Sequence, residues 1–579
     1  MMKKDPAFTT FAVDATELPE GVRVYGTGHV GGKAKGLVMA MKAYEERNAS
    51  LPEDERIHFP RSYILCSGYF DQFMEENYLY DIIGDKCRNI VSTKEMNLKI
   101  SESPLPSDLE DVLYDILEKE TGPIIVRSSS FFEDSVKYSF AGIFESIFLT
   151  NTGTLEYRMK ALETAIRDVY RSTFNENAKE YRKRHKIPWQ KEKMSIIVQN
   201  VIGRTYGNVS FLPLIAGVAF SRNYYPWNER INKDDGVGRI VLGLGTQAVG
   251  RAYARVFSLS NPRLRPEGSV VNEIVRYSQT TVDLLDLSTG EFQSRNLDEV
   301  KRTIPAVHIA CSTLQETQYF VPTGPHIGAH DHLVPTFDKI LNSSRYFPFT
   351  TIVDSVLRTL EETFGVPVDI EFAIDVDEAL SGTFYLVQAR PLGSRPEHRP
   401  VTIPHIDPKD IILKSSHVLG NGFKHNVPHI VYVSPETFTS ENAYAIAREI
   451  GALNELLSLE QYILIGPGRW GTSNPELGVP VRYGEISNAS VIVELSTGKM
   501  APELSYGTHF FGDLMTSNTL YLPVFPEKGG IIDTAFFESQ PNRYHSPLIK
   551  LISHYSGFGV YVSGEKKTGI VCLEKKPDL

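Results

Sequence analysis

The sequence predicts an α+β protein of more than one domain, ending in a separate α/β domain. Three observations lead there. A chain of 579 residues exceeds what one ordinary core organises, so two to four domains are expected. Short apolar runs bounded by glycine or polar clusters read as strands, whereas longer stretches with apolar residues at helical spacing read as helices. Finally, Pro391-Leu392-Gly393-Ser394-Arg395-Pro396-Glu397-His398-Arg399-Pro400 reads as a linker.

Composition narrows the function classes. An apolar content of 41% and a charged content of 23% are those of a soluble globular chain. The net charge of −11 argues against broad nucleic-acid or anionic-membrane binding, while leaving room for local basic pockets. No apolar run is long enough to span a bilayer. Met1-Met2-Lys3-Lys4-Asp5 is not followed by the apolar segment of a secretory signal. Cys66, Cys87, Cys311 and Cys572 are scattered without a Cys-x-x-Cys, so neither structural zinc nor a disulfide framework is expected, and a reducing cytoplasm fits.

In chain order, Gly31-Gly32-Lys33-Ala34-Lys35-Gly36-Leu37 opens a helix whose buried stripe is Leu37, Met41 and Tyr44. A glycine pair at a helix start lets backbone N–H groups approach an anion, with Lys33 in reach of a phosphate, although such turns are also common structural elements. Residues 59–65 read as a strand and 69–77 as a helix; residues 80–120 look helical and polar. The stretch Ile124–Ser146 begins as a short buried strand over 123–126. It delivers Arg127, Ser128, Ser129 and Ser130 into a polar loop that ends at Ser139-Phe140-Ala141-Gly142. An arginine beside hydroxyls offers donors suited to phosphate oxygens, or forms a solvated turn. Leu155, Met159, Leu162, Ile166 and Val169 mark a long amphipathic helix, and the basic run 179–193 reads as a solvated helix face. Residues 194–199, 216–222 and 240–245 read as buried strands.

His326, His330, Asp331 and His332 lie within seven residues, but Pro325 and Gly328 argue against the helix that a His-x-x-x-His zinc site needs. A mobile loop with solvated histidines is expected. Next, 368–375 and 384–391 alternate as a hairpin, with Asp369, Glu371 and Ala373 on one face of the first strand, and Gln388 and Arg390 together on the second. Mg²⁺ takes one or two protein oxygens plus phosphates and waters. Glu371 and the Gln388 amide oxygen can supply them, leaving Arg390 to neutralise a phosphoryl group in transfer.

These motifs, in their order, resemble the nucleotide-binding domain of phosphoenolpyruvate synthase and pyruvate, phosphate dikinase. The matching strings are Gly31-Gly32-Lys33, Val126-Arg127-Ser128-Ser129, Glu133-Asp134, Ser139-Phe140-Ala141-Gly142, residues 216–222, Asp369-Ile370-Glu371-Phe372-Ala373 and Leu386-Val387-Gln388-Ala389-Arg390-Pro391. The resemblance spans about residues 20–395. It implies an ATP-grasp-like, two-lobed domain over 1–395, with lobes of about 20–200 and 201–395, that binds ATP and Mg²⁺. It also implies Lys33, Arg127 and Arg390 as catalytic residues. Lys33, Arg127, Ser128, Gln199, Gly217, Glu371 and Gln388 would contact ATP, with Glu371 and Gln388 as metal ligands. Lys35 has no counterpart role.

Full-length relatives continue into a phosphohistidine domain, marked by Gly-Gly-x-Thr-Ser-His, and then a barrel for phosphoenolpyruvate or pyruvate. Thr-Ser-His does not occur in this sequence, and a typical barrel of about 250 residues does not fit in what remains. The chain alone is therefore expected not to make phosphoenolpyruvate from pyruvate and ATP. A linker over 396–410 leads instead to an α/β domain over 411–579. There Gly466-Pro467-Gly468-Arg469-Trp470-Gly471 could hold an anion or form a packed turn anchored by Trp470. His417 and His554 follow serines without the Gly-Gly of the carrier motif. His509, in Gly507-Thr508-His509-Phe510-Phe511, is the candidate phosphoacceptor within the chain; otherwise a small molecule or another protein accepts. The leading expectation is an ATP-dependent phosphotransferase. The alternatives are a non-catalytic ATP sensor whose C-terminal domain binds a partner, and an ATP-driven ligase, the latter on fold analogy alone.

Overall fold

Runs rich in β-branched and aromatic residues pair into the first sheet, in the order Val22–Tyr25, Ser62–Leu65, Met194–Asn200, Ile124–Ser130 and Ser146–Leu149. The computed structural model describes residues 18–574, apart from 84–92, 134–142, 185–186, 208, 224–226, 229, 250–252, 305, 343–346, 378–380, 393–400, 417, 419–420, 458–459, 473, 498–499, 501–518 and 565. The described residues fall into two compact units, one ending at Leu392 and the other beginning at Val401.

In the first unit, the strand expected to stop at Val126 runs on to Ser130. Its antiparallel partner continues alongside it, pairing Arg127 with Ile197 and Ser130 with Met194. Backbone pairing outweighs the polarity of three serines, which lie fully buried rather than in a loop. Asp134 and Ser139–Gly142 of the sequence motif, like Cys87, fall outside the described residues.

A second sheet has the order Arg255–Ser258, Val237–Leu242, Ile215–Phe220, Val368–Val376, Gly382–Pro391 and Ile57–His58. Val368, Ile370, Phe372, Ile374 and Val376 alternate onto one face and bury there. The helix Phe349–Phe364 covers that face with Phe349, Ile352, Val353, Val356, Leu357 and Leu360. Their helical spacing makes one apolar stripe, and each such side chain contributes roughly 1.5–3 kcal/mol on burial. Gly365 ends the helix in the left-handed conformation.

The helix Gly32–Ser50 packs on both sheets. Ala34, Leu37, Val38 and Met41 join Ile64 and Ile197 in the core of the first. Ala40 and Tyr44 join the core of the second. The single stripe expected from sequence is thus two faces on two cores. Two glycines permit this close approach. A Cβ on Gly31, at φ 80°, would lie 1.7 Å from the Ser129 carbonyl oxygen, and one on Gly36 would lie 2.1 Å from that of Ala389.

The second unit carries an eight-stranded sheet. Its strands Leu520–Val524, Ala489–Leu495, Tyr462–Pro467 and Gly422–Tyr432 are neighbours and parallel. The helix Ala443–Leu457 connects the last two of these. Antiparallel strands Lys550–Ser563, Thr568–Leu573, Ile411–Ser415 and Ile531–Ile532 complete the sheet.

Candidate functional site

The hairpin of the second sheet contains a β-bulge that decides which side chains reach the site. Asp369 pairs with Arg390 and Glu371 with Gln388, but Phe372 then pairs with Leu386, leaving Val387 as the extra residue. Strict alternation from Phe384 and Leu386 would turn Gln388 and Arg390 towards the apolar core. The bulge shifts the alternation by one. Phe384, Leu386 and Ala389 enter the core, and Gln388 and Arg390 join Asp369 and Glu371 on the opposite face.

On that face three arginines meet three carboxylates. Arg390 donates from Nε to both oxygens of Asp369, at 2.7 and 2.8 Å. Arg204 does the same to Asp375, at 2.9 and 2.8 Å. Burial pushes the Asp375 carboxyl up, and Arg204 opposes it. Between these pairs Arg127 arrives from the first sheet. Its Nη2 donates to Glu371 Oε2 and to Gln388 Oε1, each at 2.5 Å. The Arg127 side chain is 9% exposed, and its buried Nε has no hydrogen-bond partner among the described residues.

The strand that carries Arg127 also fixes Lys33. Lys33 Nζ lies 2.7 Å from Glu133 Oε1 and donates to Ser128 Oγ at 3.0 Å. The Glu133 carboxylate is held in turn by the Ser130 N–H at 3.1 Å, while the Glu133 N–H donates to Ser130 Oγ at 3.1 Å. Ser129 Oγ accepts from the Ala34 N–H at 3.1 Å, so a hydroxyl from the strand satisfies a first-turn donor of the helix. Beyond Ser130 and Glu133 lies a second buried carboxylate, Glu192. It faces Arg182 at 3.9 Å, and neither of its oxygens lies within hydrogen-bonding geometry of a donor among the described residues. Burial pushes the Glu192 carboxyl up to about 7, with Arg182 pulling the other way and Ser130 and Glu133 as its other polar neighbours.

The structure therefore brings Lys33, Arg127, Ser128, Glu371 and Gln388 into two bonded clusters joined by one strand, with Arg390 two residues along the hairpin. It does not add the remaining two candidates. The Gln199 amide donates to Ser62 Oγ at 2.9 Å. Gly217 faces the apolar side, where a Cβ would lie 2.7 Å from the Phe372 ring. Glu133 and Asp369, which hold Lys33 and Arg390, had no role assigned from sequence. Asp369 was legible, since it lies two residues before Glu371 on the same face. Glu133 was legible only as part of a motif.

The chemistry of the set suits Mg²⁺. One carboxylate oxygen and one amide oxygen converge on a single cationic nitrogen, and two protein oxygens are what that ion commonly takes. An open cleft of about 640 Å³ elsewhere in the unit is lined by Asp234, Asp235, Asp354, Glu361 and Glu362 against Arg222 and Arg358. That excess of carboxylates repels a nucleotide polyphosphate, and the cleft contains none of the candidate residues.

Other sequence candidates resolve separately. His332 begins the strand His332–Val334, and the Gly328 N–H donates to Asp331 Oδ2 at 2.8 Å before it. Among the described residues no group of three or more His, Cys, Asp and Glu could hold a metal ion. In the second unit Arg469 and Trp470 are both buried; the Trp470 N–H donates to Glu494 at 2.8 Å, and its ring N–H to the Val493 carbonyl at 3.0 Å. This is the packed turn. His554 lies within the strand Lys550–Ser563, whereas His417 and His509 fall outside the described residues.

Among known families, the one described as pyruvate phosphate dikinase, AMP/ATP-binding domain, matches residues 27–410, well over half of the chain. No curated protein matches it.

Proposed function

The chain belongs to the pyruvate phosphate dikinase AMP/ATP-binding domain family, and from that premise we propose that it is an ATP-dependent phosphotransferase acting at the Arg127 cluster. The observation that carries the proposal is the meeting of Arg127 with Glu371 and Gln388, residues more than 240 positions apart. The same strand that carries Arg127 holds Lys33 at the start of a helix. The domain is assigned to residues 1–395 as an ATP-grasp-like, two-lobed unit, with the five- and six-stranded sheets as the cores of the lobes.

In this reading Lys33 and Arg127 bind the polyphosphate. The helix start at Gly31 adds the attraction of its dipole and a backbone that can approach closely. Glu371 Oε2 and Gln388 Oε1 would hold Mg²⁺, which when bound draws phosphate oxygens together and neutralises their charge. Arg390, oriented by Asp369, faces the charge that grows on the phosphoryl group as it transfers, where such help is worth most. Asp369 and Glu133 act as positioning residues, because each fixes the direction of a cation. The acceptor is a small molecule or a protein group.

Calorimetry with ATP and saturating Mg²⁺, followed by identification of the nucleotide product, tests the proposal. Turnover to AMP indicates dikinase chemistry, and turnover to ADP a kinase or ligase. Binding without turnover makes the chain a sensor and overturns the phosphotransferase reading. No binding of ATP overturns the site as well.

A further inference from the structure

We propose that Arg127 is a built-in counter-cation of the metal site, which it must vacate for a metal ion to enter, so that metal loads together with a polyphosphate and poorly without one. The inference rests on the assignment of Glu371 and Gln388 as the metal-holding pair. It is carried by one geometric fact. A single nitrogen, Arg127 Nη2, lies 2.5 Å from Glu371 Oε2 and 2.5 Å from Gln388 Oε1. An ion bound to the same two oxygens sits roughly 2.0–2.1 Å from each. The two positions overlap, so the guanidinium and the ion exclude one another.

Removing the guanidinium is unfavourable unless it gains another anion. Arginine keeps its charge in proteins and cannot leave by losing a proton. Its side chain is 9% exposed, so water compensates it poorly. Its Nε has no hydrogen-bond partner among the described residues, so the guanidinium has a donor to offer an incoming oxygen. A nucleotide polyphosphate supplies that oxygen and the compensating charge. The exchange is then balanced: one carboxylate oxygen and one carboxamide oxygen pass from Arg127 to the ion, and Arg127 passes to phosphate oxygens. Glu133 does not offer the alternative, because its oxygens are engaged by Lys33, Ser128 and Ser130. Asp369 is likewise engaged by Arg390. Lys33, on the neighbouring helix, is thus held by Glu133 outside the metal position, whereas Arg127 is held by Glu371 within it.

The test is Mn²⁺ binding to the full chain, followed by electron paramagnetic resonance of the free ion, with and without a non-hydrolysable ATP analogue. Arg127→Met keeps the apolar bulk of the side chain and removes the charge; Arg127→Ala is the second variant, and thermal unfolding establishes that each is folded. Without nucleotide, either variant should bind Mn²⁺ at least about tenfold more tightly than the parent chain, since a competing unit charge has gone from a partly buried position. Equal or weaker Mn²⁺ affinity in a folded variant overturns the proposal. Glu371→Gln separates this failure from that of the assignment beneath it. If Glu371→Gln leaves Mn²⁺ affinity in the presence of the analogue unchanged, Glu371 is not a metal ligand, and both readings fall. If it weakens that affinity while Arg127→Met changes nothing, only the counter-cation role is lost.

Discussion

Replacing Glu192 by glutamine should remove a pH-dependent weakness behind the strand that carries Arg127. In the folded chain the Glu192 carboxyl is pushed up to about 7 from an ordinary 4.5, chiefly by burial. Arg182, itself buried, faces it at 3.9 Å without making a hydrogen bond to it. Below pH 4.5 the group is protonated in both folded and unfolded chains. Between 4.5 and 7 the unfolded chain has released a proton that the folded chain still keeps, so stability falls as pH rises. Above 7 both forms are ionised and the loss is complete. At about 1.4 kcal/mol for each tenfold difference in proton affinity, the loss is about 3 kcal/mol. The amide of the variant does not titrate, so Glu192→Gln should gain on the parent by that amount from pH 4.5 to above 7. Any fixed offset from the new amide beside Arg182 does not vary over this window. Hydrogen exchange of the peptide 194–200, the strand that follows Glu192, reads the difference. Comparing the same peptide in both proteins at one pH cancels the chemistry of exchange itself. The ratio of protection, variant over parent, should rise by about two orders of magnitude across the window. A ratio that stays flat would refute the reasoning.

Three further outcomes follow from the site. Arg390→Ala should lower phosphoryl transfer by at least about 100-fold while leaving nucleotide affinity within a few-fold, as single-turnover assays and calorimetry would check. A parallel loss of both would mean that Arg390 binds substrate and product alike. Gly31→Ala should lower the melting temperature and abolish ATP binding together, because the new Cβ would lie 1.7 Å from a backbone oxygen that cannot move away without the strand. An unchanged melting temperature would show that the helix docks differently. Glu133→Gln should destabilise the folded chain by on the order of 3 kcal/mol by leaving Lys33 without its buried counter-charge; an unchanged melting temperature would deny Glu133 its hold on Lys33.

Most of the elements were legible because their periodicity is local. The helix from Gly31 needs only its glycines and its apolar spacing to be seen, and the hairpin only its alternation. What escaped is what depends on a partner far along the chain. Arg127 and its serines look like a loop until Met194–Asn200 is laid beside them. Tyr44 looks like a continuation of the stripe from Leu37, whereas a second sheet claims it. The resemblance implies Gly217 as an ATP contact, whereas a Cβ there would meet the Arg239 carbonyl oxygen at 2.2 Å and the Phe372 ring at 2.7 Å. The resemblance implies Gln199 as an ATP contact, and its amide donates to Ser62 across the sheet. Facing was legible where it follows from alternation along one strand, and not where it depends on a neighbour far along the chain.

The extra residue at Val387 gives the closing strand something like a reading frame. Up to Leu386 the chain counts its apolar side chains on even numbers, and from Ala389 it counts them on odd ones. Deleting Val387 would straighten the ladder, keep Gln388 opposite Glu371 and leave both glutamine and arginine facing the site. Inserting a second residue beside it would also restore a plain alternation, and so the facing. The ladder would then slide by two positions, carrying Gln388 from Glu371 to a place opposite Asp369 and pushing Arg390 beyond its carboxylate. Length variation at this strand is therefore asymmetric. One residue fewer leaves every pair intact, while one more breaks two of them without altering a single functional side chain.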